Sequence, residues 1–203
     1  MDPALVAERD RLLRRIEETT MAQIESAALP DEPGIYVVWP VDQRAVVDLR
    51  LRDVAGDVSL AARPLYVGKA SDSVSQRLAK HFTSGDTGHS TLRRTVASLL
   101  DLESRPRRTR IKNPTPRQLQ TLVANFDLTE RDDERLTRWM AEHLEVCGAA
   151  STFAQLKDLE RALGVVLRPP LDQERPPMWE PNPWRAHVAH RRRALRERAQ
   201  SHL

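Results

Sequence analysis

Five residues of this 203-residue chain have types and positions suited to chemistry on an anionic oxygen centre. Tyr36 and Tyr66 each lie beside glycine in a short β-rich run, Gly34-Ile35-Tyr36 and Tyr66-Val67-Gly68-Lys69. Arg77 and His81 stand four apart in a helical pattern and so project from one face. Glu160 falls in a later helical pattern. A guanidinium clamps anionic oxygens, and a carboxylate can hold a hard divalent cation that keeps several waters. A phenol or an imidazole can carry or orient a proton. Taken singly, each residue has a plainer explanation. Tyrosine beside glycine is common in strands, a helical arginine is usually solvated, His81 alone more often caps or packs, and Glu160 next to Arg161 reads as surface charge.

The elements that must position these residues follow from hydropathy pattern and punctuation. Leu5, Leu12, Leu13, Ile16, Met21 and Ile24 recur at helical spacing between charges, which predicts an amphipathic helix over residues 3–28. After Pro30 and Pro33-Gly34, the run Ile35-Tyr36-Val37-Val38-Trp39 reads as a short strand closed by Pro40. Residues 45–53 alternate apolar and polar from Val47 onward and predict a further strand, with a turn at Gly56. Leu65-Tyr66-Val67-Gly68 is the next strand. From Ser73 the pattern is helical through Val74, Leu78 and Phe82 to a Gly85–Gly88 loop, and residues 90–102 predict another helix.

Residues 104–117 hold six basic residues, three prolines and no acid, which predicts an extended, exposed segment. A short helix is expected over residues 118–126, and Thr129 with Asp132 resembles a capping box before a helix carrying Leu136, Trp139, Met140 and Leu144. Residues 145–149 read as a strand. Leu156, Leu159, Leu163 and Val166 mark a helix stopped by Pro169-Pro170, and residues 185–201 form a basic helix behind a proline- and tryptophan-rich stretch. The order predicts an α+β fold, a small central mixed or antiparallel sheet flanked by helices. The expected division is an N-terminal helix (1–29), a core domain (30–172), and a linker with an Arg-rich C-terminal helix (173–203).

Composition narrows the classes. Forty percent apolar and 30% charged residues exclude disorder throughout. No apolar run is long enough to span a bilayer, and the N-terminus lacks the uninterrupted apolar core of a signal peptide. The lone Cys147 excludes an internal disulfide and suits a reducing, cytoplasmic setting, with a buried thiol as the expected role. Of 32 basic residues 28 are arginine, which fits either a GC-rich genome or phosphate recognition. Gly68-Lys69-Ala70 is not a phosphate-binding loop, because the upstream glycine and the following Ser/Thr are missing. His187 and His190 have no carboxylate or cysteine at ligand spacing.

Taken jointly and in order, Gly34-Ile35-Tyr36, Tyr66-Val67-Gly68-Lys69, the Arg77/His81 pair and Glu160 followed by Pro169-Pro170-Leu171 resemble the GIY-YIG nuclease family. The long separation of Tyr36 and Tyr66 leaves room for an inserted hairpin and is more like the restriction-endonuclease branch. The resemblance implies a metal-dependent endonuclease, with DNA favoured over RNA because family members mostly cut DNA. Tyr36 would then be the general base, Arg77 the clamp on the scissile phosphate, and Glu160 the holder of one Mg²⁺ or Mn²⁺. Tyr66 and His81 would orient water or phosphate. Further nucleic-acid contacts are expected at Lys69, at Arg105, Arg107, Arg108, Arg110 and Lys112, and at Arg191, Arg192 and Arg193, largely indifferent to sequence.

One position departs from the pattern: Asp172 stands where the family has asparagine, exchanging a donor-acceptor for an acceptor-only carboxylate. It would either help to hold the metal or repel substrate phosphate. The second possibility leaves, as the alternative to an enzyme, a catalytically impaired nucleic-acid-binding module. A further alternative is an interaction protein with a vestigial site whose terminal helices dimerise; the expected state is monomer or homodimer, with no membrane partner.

Overall fold

The computed structural model describes residues 2–19, 29–55, 60, 63–83, 87–108, 111–174 and 179–203. The second half of the expected N-terminal helix, with Met21 and Ile24, lies outside them, as do Gly56, Gly85 and Arg110.

A three-stranded antiparallel sheet organises the chain, in the order β2 (Tyr66–Ala70), β1 (Gly34–Pro40), β5 (Leu144–Ala150). β1 is central and covered on both faces, which explains why Ile35-Tyr36-Val37-Val38-Trp39 does not alternate with polar residues. On one face Ile35, Val37, Val67, Cys147 and Ala149 pack against Leu12 and Ile16 of α1 (Pro3–Thr19) and Leu159 and Leu163 of α8 (Leu156–Leu167). On the other face Tyr36, Val38, Ala70 and Val146 join the larger core, which takes in α4 (Val74–Phe82), α5 (Thr91–Leu99), α7 (Glu130–His143) and α9 (Arg185–Gln200). The result is the α+β arrangement expected from the element order.

The connection from β1 to β2 corrects the expected strand over residues 45–53. It forms two short helices instead, α2 (Gln43–Asp48) and α3 (Arg52–Ala55). Asp42 caps α2 by accepting the Ala45 N–H. Ala45, Val46 and Leu49 are fully buried at helical spacing, whereas Val47, which began the apparent alternation, is 50% exposed. Two overlapping periods were present, and packing selected the helical one. Arg50, at φ 53°, turns the chain before Leu51 enters the core.

The basic segment is also less extended than its prolines suggest. Ser104 and Arg105 form β3, paired with β4 (Asp127–Leu128), and Ser104 is fully buried. At the other end Pro116 opens α6 (Pro116–Ala124) behind a capping box between Thr115 and Gln118. Of the expected box at Thr129, one half forms: Thr129 accepts the Asp132 N–H, but the Asp132 carboxylate takes the N–H of Glu103.

α9 is packed rather than appended. Val188, Leu195 and Ala199 are fully buried against the core, Ser104 donates to the Leu195 carbonyl at 2.6 Å, and Trp184 donates its indole N–H to the Leu51 carbonyl at 2.8 Å. Among the described residues no helix is long and apolar enough to cross a membrane.

Candidate active site

The two glycine-tyrosine runs come together because their strands are neighbours. In the antiparallel register Tyr36 lies opposite Gly68. The Tyr36 ring crosses that position so closely that any Cβ on residue 68 would collide with it. Glycine is therefore required at 68 to let the ring lie across β2. The Tyr66 ring is 6.2 Å from that of Tyr36, centre to centre.

α4 supplies the next pair. Ser73 caps it through the Gln76 N–H, and Asp31, just before β1, accepts hydrogen bonds from Ser73 (2.6 Å) and Ser75 (3.0 Å). That clasp sets the start of α4 relative to β1. Tyr36, Tyr66, Lys69, Asp72, Gln76, Arg77, Lys80 and Glu160 line one cavity of about 370 Å³, so four of the five expected site residues share a wall.

The fifth, His81, is fully buried and reaches the cavity only through Tyr36. Its Nε2 lies 2.7 Å from the Tyr36 hydroxyl, and its Nδ1 lies 2.6 Å from Oγ of Ser90. Burial, reinforced by the Arg77 and Arg93 charges, pushes the imidazole down to about 3, so it is neutral at ordinary pH. A neutral ring has one N–H to place. Ser90 Oγ already accepts the Arg93 N–H as the cap of α5, so its own proton is available to donate to Nδ1. That choice satisfies the buried hydroxyl and leaves Nε2–H to donate to the Tyr36 oxygen.

The two phenols are not equivalent. Burial raises Tyr36 to about 12, opposed by the charge and hydrogen bonding of Arg77 and by a hydrogen bond from Tyr66, while Glu160 adds to the rise. Tyr66 is raised well above an ordinary phenol by burial and by the neighbouring Tyr36 and Glu160. Tyr36, which faces a guanidinium and receives hydrogen bonds, is the one better prepared to carry negative charge.

Glu160 projects from α8 onto β2. Burial and the adjacent Glu174 push its carboxyl up to about 7, countered by the Lys69 ammonium and the Lys69 backbone N–H. Glu174 itself is bound by Arg161 at 3.1 Å and Lys157 at 3.5 Å. A carboxylate crowded by another is relieved by a divalent cation. Among the described residues no group of three or more His, Cys, Asp or Glu side chains forms a metal cage. Glu160 and Asp72 are the carboxylates on the cavity wall, oxygen donors of the kind that suit a hard ion keeping most of its waters.

Asp172 is buried and accepts the Glu174 N–H at 2.8 Å. It lines a neighbouring cavity with Tyr66 and Glu160, not the one that Arg77 lines.

Other expected contacts are scattered. Lys69 lines the same cavity as Tyr36 and Arg77. Arg107 hydrogen-bonds His89, Arg105 is half-buried in β3, and Arg108 and Lys112 are exposed. Arg191 is held by the Ser98 carbonyl (3.3 Å) and Asp101 (3.5 Å), Arg192 is buried, and Arg193 is exposed. Arg93 and Ser90 were not singled out in the sequence. Arg93, 0% exposed, pairs with Asp133 at 3.1 Å and donates to the His81 carbonyl (2.8 Å), Thr87 (3.1 Å) and Thr137 (2.9 Å), locking α4, α5 and α7 around the imidazole. No local signal marks it, since an arginine within a helix reads as solvated.

No curated protein and no solved structure matches the chain. The family model of the GIY-YIG catalytic domain matches residues 34–194, which take in every residue of the cavity wall. The chain thus belongs to the GIY-YIG family, whose catalytic domain supports a nuclease-type function acting on nucleic acid.

Proposed function

We propose that this chain is a metal-dependent endonuclease that hydrolyses phosphodiester bonds, with DNA favoured over RNA. The observation that carries the reading is the 2.7 Å hydrogen bond between Tyr36 and the buried, neutral His81, behind a wall shared with Tyr66, Arg77 and Glu160.

Arg77 binds the non-bridging oxygens of the scissile phosphate and, beside Tyr36, lowers the proton affinity of that phenol. Tyr36 acts as the phenolate, its proton lost to solvent and its charge held by Arg77 and the Nε2–H of His81. It takes the proton of the attacking water and becomes the neutral phenol as the hydroxide oxygen bonds to phosphorus and the leaving oxygen departs. Tyr66 remains a neutral donor that orients the oxygens on the same wall. Glu160 would hold one Mg²⁺ or Mn²⁺, which supplies charge relief on the phosphate when bound. Lys69 and Lys80 at the rim attract the strand.

Incubation of supercoiled plasmid with Mg²⁺ or Mn²⁺ tests the proposal. Wild type should nick or linearise the plasmid, and Glu160→Ala should abolish cutting together with Mn²⁺ binding. Tight, salt-sensitive DNA binding with no cutting by wild type or by Asp172→Asn would sink it.

A further inference from the structure

α9 turns a stripe of Val188, Arg192, Leu195 and Ala199 toward the core. Three are apolar and fully buried, and the fourth is an arginine left only 9% exposed. A buried guanidinium normally has carboxylates or carbonyls around it, because an unpaired buried charge is strongly unfavourable. Here the nearest strong neighbours have the wrong sign. After burial itself, Arg196 and then Arg94 depress Arg192 to about 10. Arg94, also buried, is depressed to about 10 by burial and by Arg196.

The Nε of Arg192 is buried without a hydrogen-bond partner, whereas Arg94 donates to the Gly88 carbonyl and to Thr91 at 3.3 Å. Among the described residues the acids nearby already have partners. Asp127, beside Arg94, accepts the Gly88 N–H, Asp172 accepts the Glu174 N–H, and Glu174 is bound by Arg161.

Two cavities meet at Arg192. One, of about 370 Å³, is lined by Gln173, Arg185, Ala189, Arg192, Arg193 and Arg196. The other, of about 360 Å³, has Tyr66 and the carboxylates Glu160, Asp172 and Glu174 on its wall; it adjoins the candidate active site and is the acidic side of Arg192. The first cavity has four arginines and a glutamine on its wall, and planar guanidinium forks converging there suit a tetrahedral oxyanion that offers several acceptors at once.

We propose that Arg192, at the wall it shares with Arg185, Arg196 and Gln173, forms a built phosphate pocket that takes a phosphate of the nucleic-acid strand next to the one at Arg77. The assignment to a strand rests on the nuclease reading; the pocket does not. It differs from general attraction by a basic tail, because the residue that binds is the one turned inward, while Arg191 is held by Ser98 and Asp101.

Thermal unfolding of the full chain in inorganic phosphate, against chloride of equal ionic strength, tests the pocket. An Arg77→Met background removes binding at the active site. In that background phosphate should raise Tm, and adding Arg192→Met should abolish the rise while making the protein more stable in chloride, since an apolar side chain then completes the stripe. Arg192→Lys should retain a reduced rise. For the source of the phosphate, Arg192→Met in the otherwise wild-type chain should lower the slope of log affinity against log salt for a short DNA duplex by about 0.9. Absence of a phosphate-specific rise, an equal rise with and without Arg192, or a loss of stability in chloride on Arg192→Met overturns the pocket. A lost rise with an unchanged duplex slope overturns the assignment to a strand. Plasmid cutting is read separately: a chain that cuts nothing but binds phosphate through Arg192 removes the proposed function and leaves the pocket.

Discussion

The Tyr36 hydroxyl and Nε2 of His81 lie 2.7 Å apart at a point where strand β1 meets helix α4, and the other imidazole nitrogen is held at 2.6 Å by Ser90, the N-cap of α5. A neutral imidazole bonded at both nitrogens has a fixed orientation and a fixed tautomer. Tyr36 is thereby supplied with a donor from the core side while its ring faces the cavity, and any effect of His81 on catalysis passes through the phenol.

Tyr36→Phe should lower kcat by about 10²–10⁴-fold, the usual contribution of a positioned proton acceptor, and leave Mn²⁺ affinity unchanged. Ser90→Ala should lower kcat less, shift the ascending limb of the pH–rate profile to higher pH and reduce stability by about 1 kcal/mol through the lost cap. A pH–rate profile unaltered in Ser90→Ala would rule out relay through His81.

His81 carries a pH signature of its own. Its folded-state pKa of about 3 lies below the ordinary value of 6.5, so the unfolded chain binds the proton first. This term is fully present above pH 6.5 and is lost as pH falls toward 3, with a slope of up to about 1.4 kcal/mol per pH unit. Urea titrations of wild type and His81→Gln between pH 4 and 8 check it, since the difference in stability should shrink on acidification. Parallel curves would mean that the imidazole is not buried neutral.

Breaking the Arg93–Asp133 pair should be severe. Either Arg93→Met or Asp133→Leu leaves the other charge buried, at a cost of about 3–5 kcal/mol. The double variant should recover much of that loss in denaturant midpoint while remaining slow, because the His81 carbonyl has still lost its Arg93 donor. Additive losses in the double variant would show that the two charges act independently.

Asp172→Asn should fold with a Tm close to that of wild type, because Asn Oδ1 can still accept the Glu174 N–H. Asp172→Leu, without an acceptor, should lose about 1–3 kcal/mol. If Asp172→Asn also leaves plasmid cutting unaltered, position 172 acts on the backbone of the 172–174 turn and not on substrate.

Much of the topology was legible because local and global demands agreed. The strand through Tyr36, the strand through Tyr66, the helix capped by Ser73 and the helix carrying Glu160 all appear where spacing and punctuation put them. Residues 45–53 were misread because Val47, Leu49 and Leu51 satisfy a two-residue period while Ala45, Val46 and Leu49 satisfy a helical one. Only the packing of α2 and α3 between β1 and the core chose between them. The prolines of 104–117 correctly opposed a helix over the described residues before Pro116, which instead opens α6, and they concealed the burial of Ser104, which depends on β4 and α9, far along the chain.

What the sequence determined by itself was the set of chemical types in their order: two tyrosines beside glycines, an arginine and a histidine one helical turn apart, and a glutamate before two prolines. These are local facts of residue identity and short-range periodicity. Tertiary structure decided which of them face the cavity and which stand behind it. It put His81 in the core, turned Asp172 onto a backbone N–H, buried Arg93 as the hub of three helices, and turned Arg192 inward beside two other guanidiniums. Except for the local Asp172 turn, those outcomes depend on partners tens of residues away, and the burial they impose sets the charge states that no stretch of sequence displays.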